Sequence, residues 1–467
     1  MAESKYKELS KNTLLFTISS FGTRIIQFLL VPLYTYVLTT EEYGTIDVLY
    51  TTISLMVPLL TLNIQDAVLR FCLDKEYEPE NIISTSVRLL AFSSFIFAAG
   101  TLFIKGVGWV SLGWEYICFL ILSFIFNAFQ NSFSMYLKAI DRVSVIVISG
   151  LLTTLLTCGL NLFFLLYCKL GVNGYLYAHL ISAFTGLIYC LIFGEIYKNI
   201  GAAASKKILK SMLVYSSPLI VNSLAWWLND ASDRYILIYF CGTAVNGIYA
   251  ISYKIPTILS TIQSVFYNAW SVSAIKEFNK NDEDGFVGNI YSLYSCVSII
   301  ACSCLLLLNP LLAKILYAKD FFEAWKYVPA LLVGVIFNGL SLFEGCLFTA
   351  VKRTKDVSKT TIIGAIANFV LNIILIPNIG AYGAATATLI GYMVVWIVRT
   401  VMLKDIIHMR VNWRNQLISL LLILVQGVCA TIGNTMAIQL IIMIMILFMQ
   451  RQFIGKTISF IVGKILK

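Results

Sequence analysis

Apolar runs of about 20 residues follow one another over residues 12–450, and this feature limits the chain more than any other. A helix of that length crosses a bilayer core roughly 30 Å thick, and inside it each segment must satisfy its own backbone polar groups. The expected fold is an all-α integral membrane protein of about fourteen transmembrane helices. Composition agrees: of 467 residues, 59% are hydrophobic and 12% charged. The longest polar interruption, around 276–285, is too short to bury a core, which excludes a sizeable soluble domain.

Expected spans are 12–38, 44–71, 82–106, 112–138, 144–168 and 172–197, then 212–240, 244–270, 286–317, 327–350, 357–378 and 381–403. Two more, 415–432 and 434–450, complete the set. Asn127, Ala139, Arg142 and Asn161 recur as Asn338, Ala350, Arg353 and Asn372, each 211 positions on. After a two-residue adjustment, Gly171, Gly174, Ala178 and Leu180 recur as Gly380, Gly383, Ala387 and Leu389. The chain is built twice. The expected domains are an N-lobe at 1–197, a basic linker at 198–211, a C-lobe at 212–403, and a 404–467 portion with the last two spans and an amphipathic tail. Each lobe holds six spans, an even number, so the lobes are expected to be related by a pseudo-twofold axis along the membrane normal, an arrangement found in transporters.

The net charge of +10 is distributed as topology, not as a nucleic-acid surface. Five of the 34 Lys and Arg (Lys105, Lys169, Lys314, Lys319, Lys326) fall on one side of the expected spans, and Arg24, Arg234 and Lys254 fall inside them. The rest lie at the opposite ends, so both termini are expected to be cytoplasmic. The basic residues before the first apolar run do not make a signal peptide, because the run is too long and ends in Thr-Thr-Glu-Glu. The 11 cysteines show no metal or redox spacing and read as small packing residues.

Two spans carry a polar stripe at alternating steps of three and four, which is one helix face. One is Thr51, Ser54, Pro58, Thr61 and Gln65; the other, 203 positions on, is Lys254, Thr257, Thr261, Ser264 and Asn268. The first span repeats the pattern with Thr13, Thr17, Ser20, Arg24 and Gln27. Lipid cannot satisfy such a face, so it meets a cavity or another helix. Arg24 and Lys254 sit near the middle of their expected spans, where insertion of a charge costs about 2.5 to 3.5 kcal/mol. Either an interhelical ion pair or a cationic chamber for an anionic head group accounts for them; Arg24 offers a planar fork suited to phosphate and Lys254 a compact charge. The seventh span places Asn222, Trp226, Asn229 and Asp233 on one face, with Trp227, Asp230 and Arg234 beside it. Asp230 and Arg234, four apart, are expected to pair locally. Candidate substrate-binding residues are Arg24, Lys254, Gln27, Thr51, Gln65, Asn222, Trp226, Asn229, Thr257 and Asn268. Asp66, Glu344 and Asp47 are the candidates for ion coupling. His179 joins no visible constellation. No paired carboxylates, nucleophile with histidine, metal cluster or phosphate loop is present in the sequence, so neither an enzyme nor a cofactor is expected.

The segments FGTRIIQFLLVPLYTYVLTTEEYGTIDVLY, NDASDRYILIYFCGTAVNGIYAISYK and GAYGAATATLIG resemble the Wzx-type polysaccharide flippases of the MOP exporter superfamily. The resemblance runs over essentially the whole chain. It implies movement of an undecaprenyl-pyrophosphate-linked oligosaccharide across the bacterial inner membrane by alternating access, with polysaccharide polymerase machinery as a partner. In related lipid II flippases the two extra C-terminal spans help form a groove for the lipid tail, so residues 415–450 would do so here. The runners-up are a MATE-type small-molecule antiporter and a lipid II flippase. A membrane glycosyltransferase or polymerase would show a large outer loop or clustered acids, and the sequence has neither.

Overall fold

The computed structural model describes residues 22–74, 76–109, 111–202, 205–276, 280–283, 285–432 and 435–465, and among these the regular structure is helical throughout. Ten helices among the described residues are long and apolar enough to cross a membrane, or up to 11 if one bent pair counts as a span. The expected spans outside these ten are the first, seventh, eighth and fourteenth, which are consistent with the remaining helices but bent, interrupted or only partly described.

The chain forms two compact units, Met1–Trp227 and Leu228–Lys467. In the first unit, Thr39 caps the Thr40–Leu60 helix reciprocally: its hydroxyl accepts from the Glu42 amide at 3.2 Å, and the Glu42 carboxylate accepts from the Thr39 amide at 2.8 Å. The Thr-Thr-Glu-Glu at the end of the first apolar run is thus a helix start. Pro58 sits inside this helix, and the chain turns at Leu62 and Asn63, both left-handed (φ 53° and 51°), before resuming as Ile64–Cys72. At 22–38 the helix is likewise interrupted at Leu30, with Pro32 in the first turn of Val31–Val37. Lys206–Ser216 and Leu219–Ala225 meet at 42°, with Pro218 at the bend. Lys206–Ser216 packs on Ile64–Cys72 and Pro79–Gly106, so part of the basic linker is a docked helix. Outside the spans, Lys198 at 2.7 Å and Arg142 at 3.2 Å hold the Glu195 carboxyl below its usual range.

The repeat persists in the backbone. Asp141 and Lys352 are both left-handed (φ 58° and 61°), and the following Arg142 and Arg353 share φ −91° with ψ 45° and 46°. Gly171 and Gly380, at φ 56° and 57°, make the matching turn into the next helix. The two-residue adjustment has a structural cause: Leu162–Tyr167 is a π-helix in the first copy, whereas Thr354–Ile379 stays α through the same stretch. The wider turn, with Lys169 in left-handed conformation after it, accommodates the longer segment.

The second unit is built around Val328–Ala350, whose apolar window is 78% buried, the highest of any candidate span. It packs against Lys254–Lys276, Phe286–Leu316, Ala381–Leu403 and Trp413–Ile432. The last two elements, Trp413–Ile432 and Met436–Ile465, belong to this unit; buried amides hold the first to Phe286–Leu316 and the second to the first. Gln426 exchanges bonds with Ser303 (2.7 and 3.1 Å), Gln416 donates to Ser295, and Gln450 donates to Ser419 at 3.0 Å. The fully buried Asp282 carboxylate accepts from the amides of Val287 and Gly288 (2.9 Å each) and of Arg410 (3.0 Å). One acid therefore caps Phe286–Leu316 and ties the connection before Trp413–Ile432 to it.

Candidate functional site

Within the first unit, Arg24 and Gln27 are exposed on the helix at 22–29, which meets Val143–Asn161 where the Thr154 hydroxyl bonds that of Thr23 at 3.3 Å. Thr13, Thr17 and Ser20 lie outside the described residues. The stripe on the second span is not one continuous face, because the break at Leu62 and Asn63 sets Gln65 on a separate helix. Thr51 and Thr61 are buried, Ser54 is exposed, and Gln65, Asp66 and Asp47 are half-buried. Each stripe hydroxyl bonds back to its own helix: Thr51 to Asp47 O (2.8 Å), Ser54 to Thr51 O (2.7 Å) and Thr61 to Val57 O (2.7 Å). The Trp227 indole donates to Thr51 O at 3.1 Å, and Asn63 donates to Ser223 at 2.9 Å, which joins the polar side of this span to the start of Leu219–Cys241. Asn222 is exposed; the side chains of Trp226, Asn229 and Asp230 lie outside the described residues.

In the second unit, Lys254 is not in the middle of a continuous span. The helix is interrupted at Tyr253, between Thr243–Ser252 and Lys254–Lys276, so Lys254 opens the second helix. It is half-buried, and no ion-pair partner is found for it among the described residues. Thr257 and Asn268 are exposed and Thr261 is buried. Arg234 reaches Asp233, its neighbour in sequence, at 3.3 Å. Asp233 is 1% exposed and also accepts from Tyr249 (2.7 Å) and Tyr253 (3.4 Å), while the Arg234 guanidinium lies 5.2 Å from the Tyr253 ring centroid. The aromatic residue at the break, Tyr253, thus meets one cation, Arg234, and is followed in sequence by a second, Lys254.

A denser polar cluster escapes the sequence pattern. Arg399, which charge alternation assigns to a span end, is 2% exposed inside the second unit. Its guanidinium donates to Ser341 O (2.5 Å), Thr360 Oγ1 (2.9 Å), Thr361 Oγ1 (3.0 Å) and Val357 O (3.4 Å). Glu344, fully buried nearby, accepts at Oε1 from Thr400 (2.7 Å) and Tyr291 (3.5 Å), and Trp396 donates to the Tyr291 hydroxyl at 3.1 Å. Three helices converge on that carboxyl. His179 does have company: it stacks on Tyr175 with ring centroids 4.0 Å apart, and Tyr50 and Tyr34 lie at 6.2 and 6.4 Å.

Residues 9–271 match the model of a family described as polysaccharide biosynthesis protein. An uncharacterised membrane protein of Methanocaldococcus jannaschii is 24% identical over 204 residues, 41% of this chain and 39% of that protein. A probable low-salt glycan biosynthesis flippase of Haloferax volcanii is 22% identical over 220 residues, 46% of each chain. The chain therefore spans less than half the length of these curated relatives. Among solved structures, a lipid II flippase, MurJ, aligns with a TM-score of 0.71 at 15% identity over 95% of this chain and 100% of that one. A multidrug resistance MATE transporter of the MOP superfamily, in an inward-facing conformation, aligns with a TM-score of 0.62 at 15% identity over 82% and 94%. The fold is that of the MOP superfamily, as the resemblance to Wzx-type flippases implied. With the family match covering more than half of its length, this multi-pass membrane protein belongs to the polysaccharide biosynthesis protein family.

Proposed function

We propose that the protein is a flippase that carries a lipid-linked glycan across the membrane, and that its substrate is an undecaprenyl-pyrophosphate-linked oligosaccharide repeat unit in a bacterial inner membrane. The observation that carries this reading is a polysaccharide family match on a chain whose fold covers the whole of a lipid II flippase. A pyrophosphate needs cationic partners in a low-dielectric setting, and sugars need hydroxyl, amide and aromatic groups. The exposed Arg24 and the half-buried Lys254 supply the first; Gln27, Asn222, Thr257 and Asn268, all exposed, supply the second. Movement of the head group is transport and makes or breaks no bond in it.

Deleting the gene in its host and probing spheroplasts with an impermeant glycan-oxidising reagent tests the proposal. Lipid-linked oligosaccharide should accumulate out of reach of the reagent and become reactive again when the wild-type gene returns. Normal reactivity in the deletion strain would discard the flippase and leave small-molecule export as the function to examine.

A further inference from the structure

The bonding at Glu344 is asymmetric. Oε1 takes two hydroxyl donors, Thr400 and Tyr291, whereas Oε2 is buried without a hydrogen-bond partner. A neutral carboxylic acid fits this arrangement better than a carboxylate: its carbonyl oxygen accepts both bonds, and the bare oxygen is left with an unpaired O–H rather than an unpaired charge. An ionised carboxylate would leave charge on an oxygen that no donor reaches, at high cost in a dry interior. The cation best placed to answer such a charge is Arg399, next in sequence to the Thr400 that already bonds Glu344. Yet Arg399 forms no ion pair with it: all four of its bonds go to neutral oxygens, three of them on Thr354–Ile379 and one at Ser341, three residues before Glu344.

We propose that Glu344 is a proton-binding site of the second unit, and that on losing its proton it draws Arg399 away from Thr360, Thr361 and Val357. Proton occupancy then sets whether Thr354–Ile379 is tied to Ala381–Leu403 through this guanidinium. The titratable and charged groups around the pair are Tyr291 and Tyr294 from Phe286–Leu316, Tyr267 from Lys254–Lys276, and Cys346 on the helix of Glu344 itself. On Thr354–Ile379 the nearest acid, Asp356, is engaged by Arg353 at 2.6 Å and does not compete for Arg399. The proton site stands on this geometry alone; its use to drive glycan movement rests on the proposed flippase activity.

The test uses the full-length protein in detergent. Over about pH 5 to 10, Glu344→Gln should release about one proton fewer than wild type, and the infrared carboxylic-acid C=O band assigned by labelled glutamate should be absent from it. The protection factors of the amides at residues 357–361, taken against the intrinsic base-catalysed exchange rate at each pH, should fall at alkaline pH in wild type and stay constant in Glu344→Gln. Equal proton release by the two proteins, or pH-independent protection factors in wild type, would overturn the proposal. Should Glu344→Gln fail to fold, Thr400→Val serves instead: it removes one donor from Oε1 and must shift the band, and an unshifted band is equally fatal. Proton release without any effect of gene deletion on glycan sidedness would unseat the flippase and leave the proton site standing.

Discussion

Arg24 and Lys254 are the two cations on which the head-group reading depends, and they differ in setting: one exposed on a short helix before a break, the other half-buried directly after one. Arg24→Ala or Lys254→Ala should each abolish glycan export while membrane levels of the protein stay normal, as measured by surface glycan and immunoblot. Arg24→Lys should rescue only in part, because an ammonium lacks the planar fork that pairs with phosphate. Wild-type export by both alanine variants would remove these cations from the mechanism. The stripe residues divide more finely. In a cysteine-free background, Ser54→Cys and Thr257→Cys should react with a water-soluble thiol reagent, whereas Thr51→Cys, buried beneath Trp227, should not. Uniform protection of all three would mean that the exposed positions face lipid. Arg24 and Lys254 were legible in the sequence because each interrupts an apolar run. Arg399 was not: four residues from the end of its helix, a guanidinium that extends to the membrane surface and one that turns inward have the same local sequence. Only its partners on Thr354–Ile379 and at Ser341 distinguish them.

Helix breaks, more than helix lengths, distinguish the elements of this protein. The interruptions at Leu30, at Leu62 and Asn63, and at Tyr253 fall inside segments whose apolar content reads as continuous, and they do not occupy equivalent positions of the repeat. A polar stripe traced at steps of three and four assumes an unbroken helix; Pro58 and the left-handed pair after it invalidate that assumption for Gln65. The repeat's glycines also part company at this scale. A Cβ on Gly383 would lie 2.6 to 2.8 Å from the Leu375 and Ile376 backbone, whereas on Gly174 it would meet side chains, the nearest being Phe164 Cβ at 3.0 Å. Gly383→Ala should therefore cost about 1 to 3 kcal/mol and lower the melting temperature in detergent, with Gly174→Ala costing distinctly less. Equal melting of the two variants would show that the helix turn at Gly380 yields as readily as a side chain.

At the scale of the molecule, the last two helices behave as part of the second unit. Removing residues 404–467 would leave the buried Ser295 and Ser303 without Gln416 and Gln426, at about 1 to 3 kcal/mol for each unsatisfied group, and would release Asp282 from Arg410. The truncated protein should reach the membrane but extract as aggregate on size-exclusion chromatography. A monodisperse truncation with wild-type melting would show that these helices are an accessory. The sequence by itself determined the membrane-spanning class, most span positions and the internal duplication. These follow from a constraint that acts on each segment alone: about 20 consecutive residues must tolerate hydrocarbon and satisfy their own backbone. Tertiary structure alone decided which polar groups are buried together, where the helices break, and that Glu344 and Arg399 share one interior. Those outcomes depend on partners such as Tyr291, Thr360 and Ser341, which lie tens of residues away in the chain and become neighbours only when the helices pack.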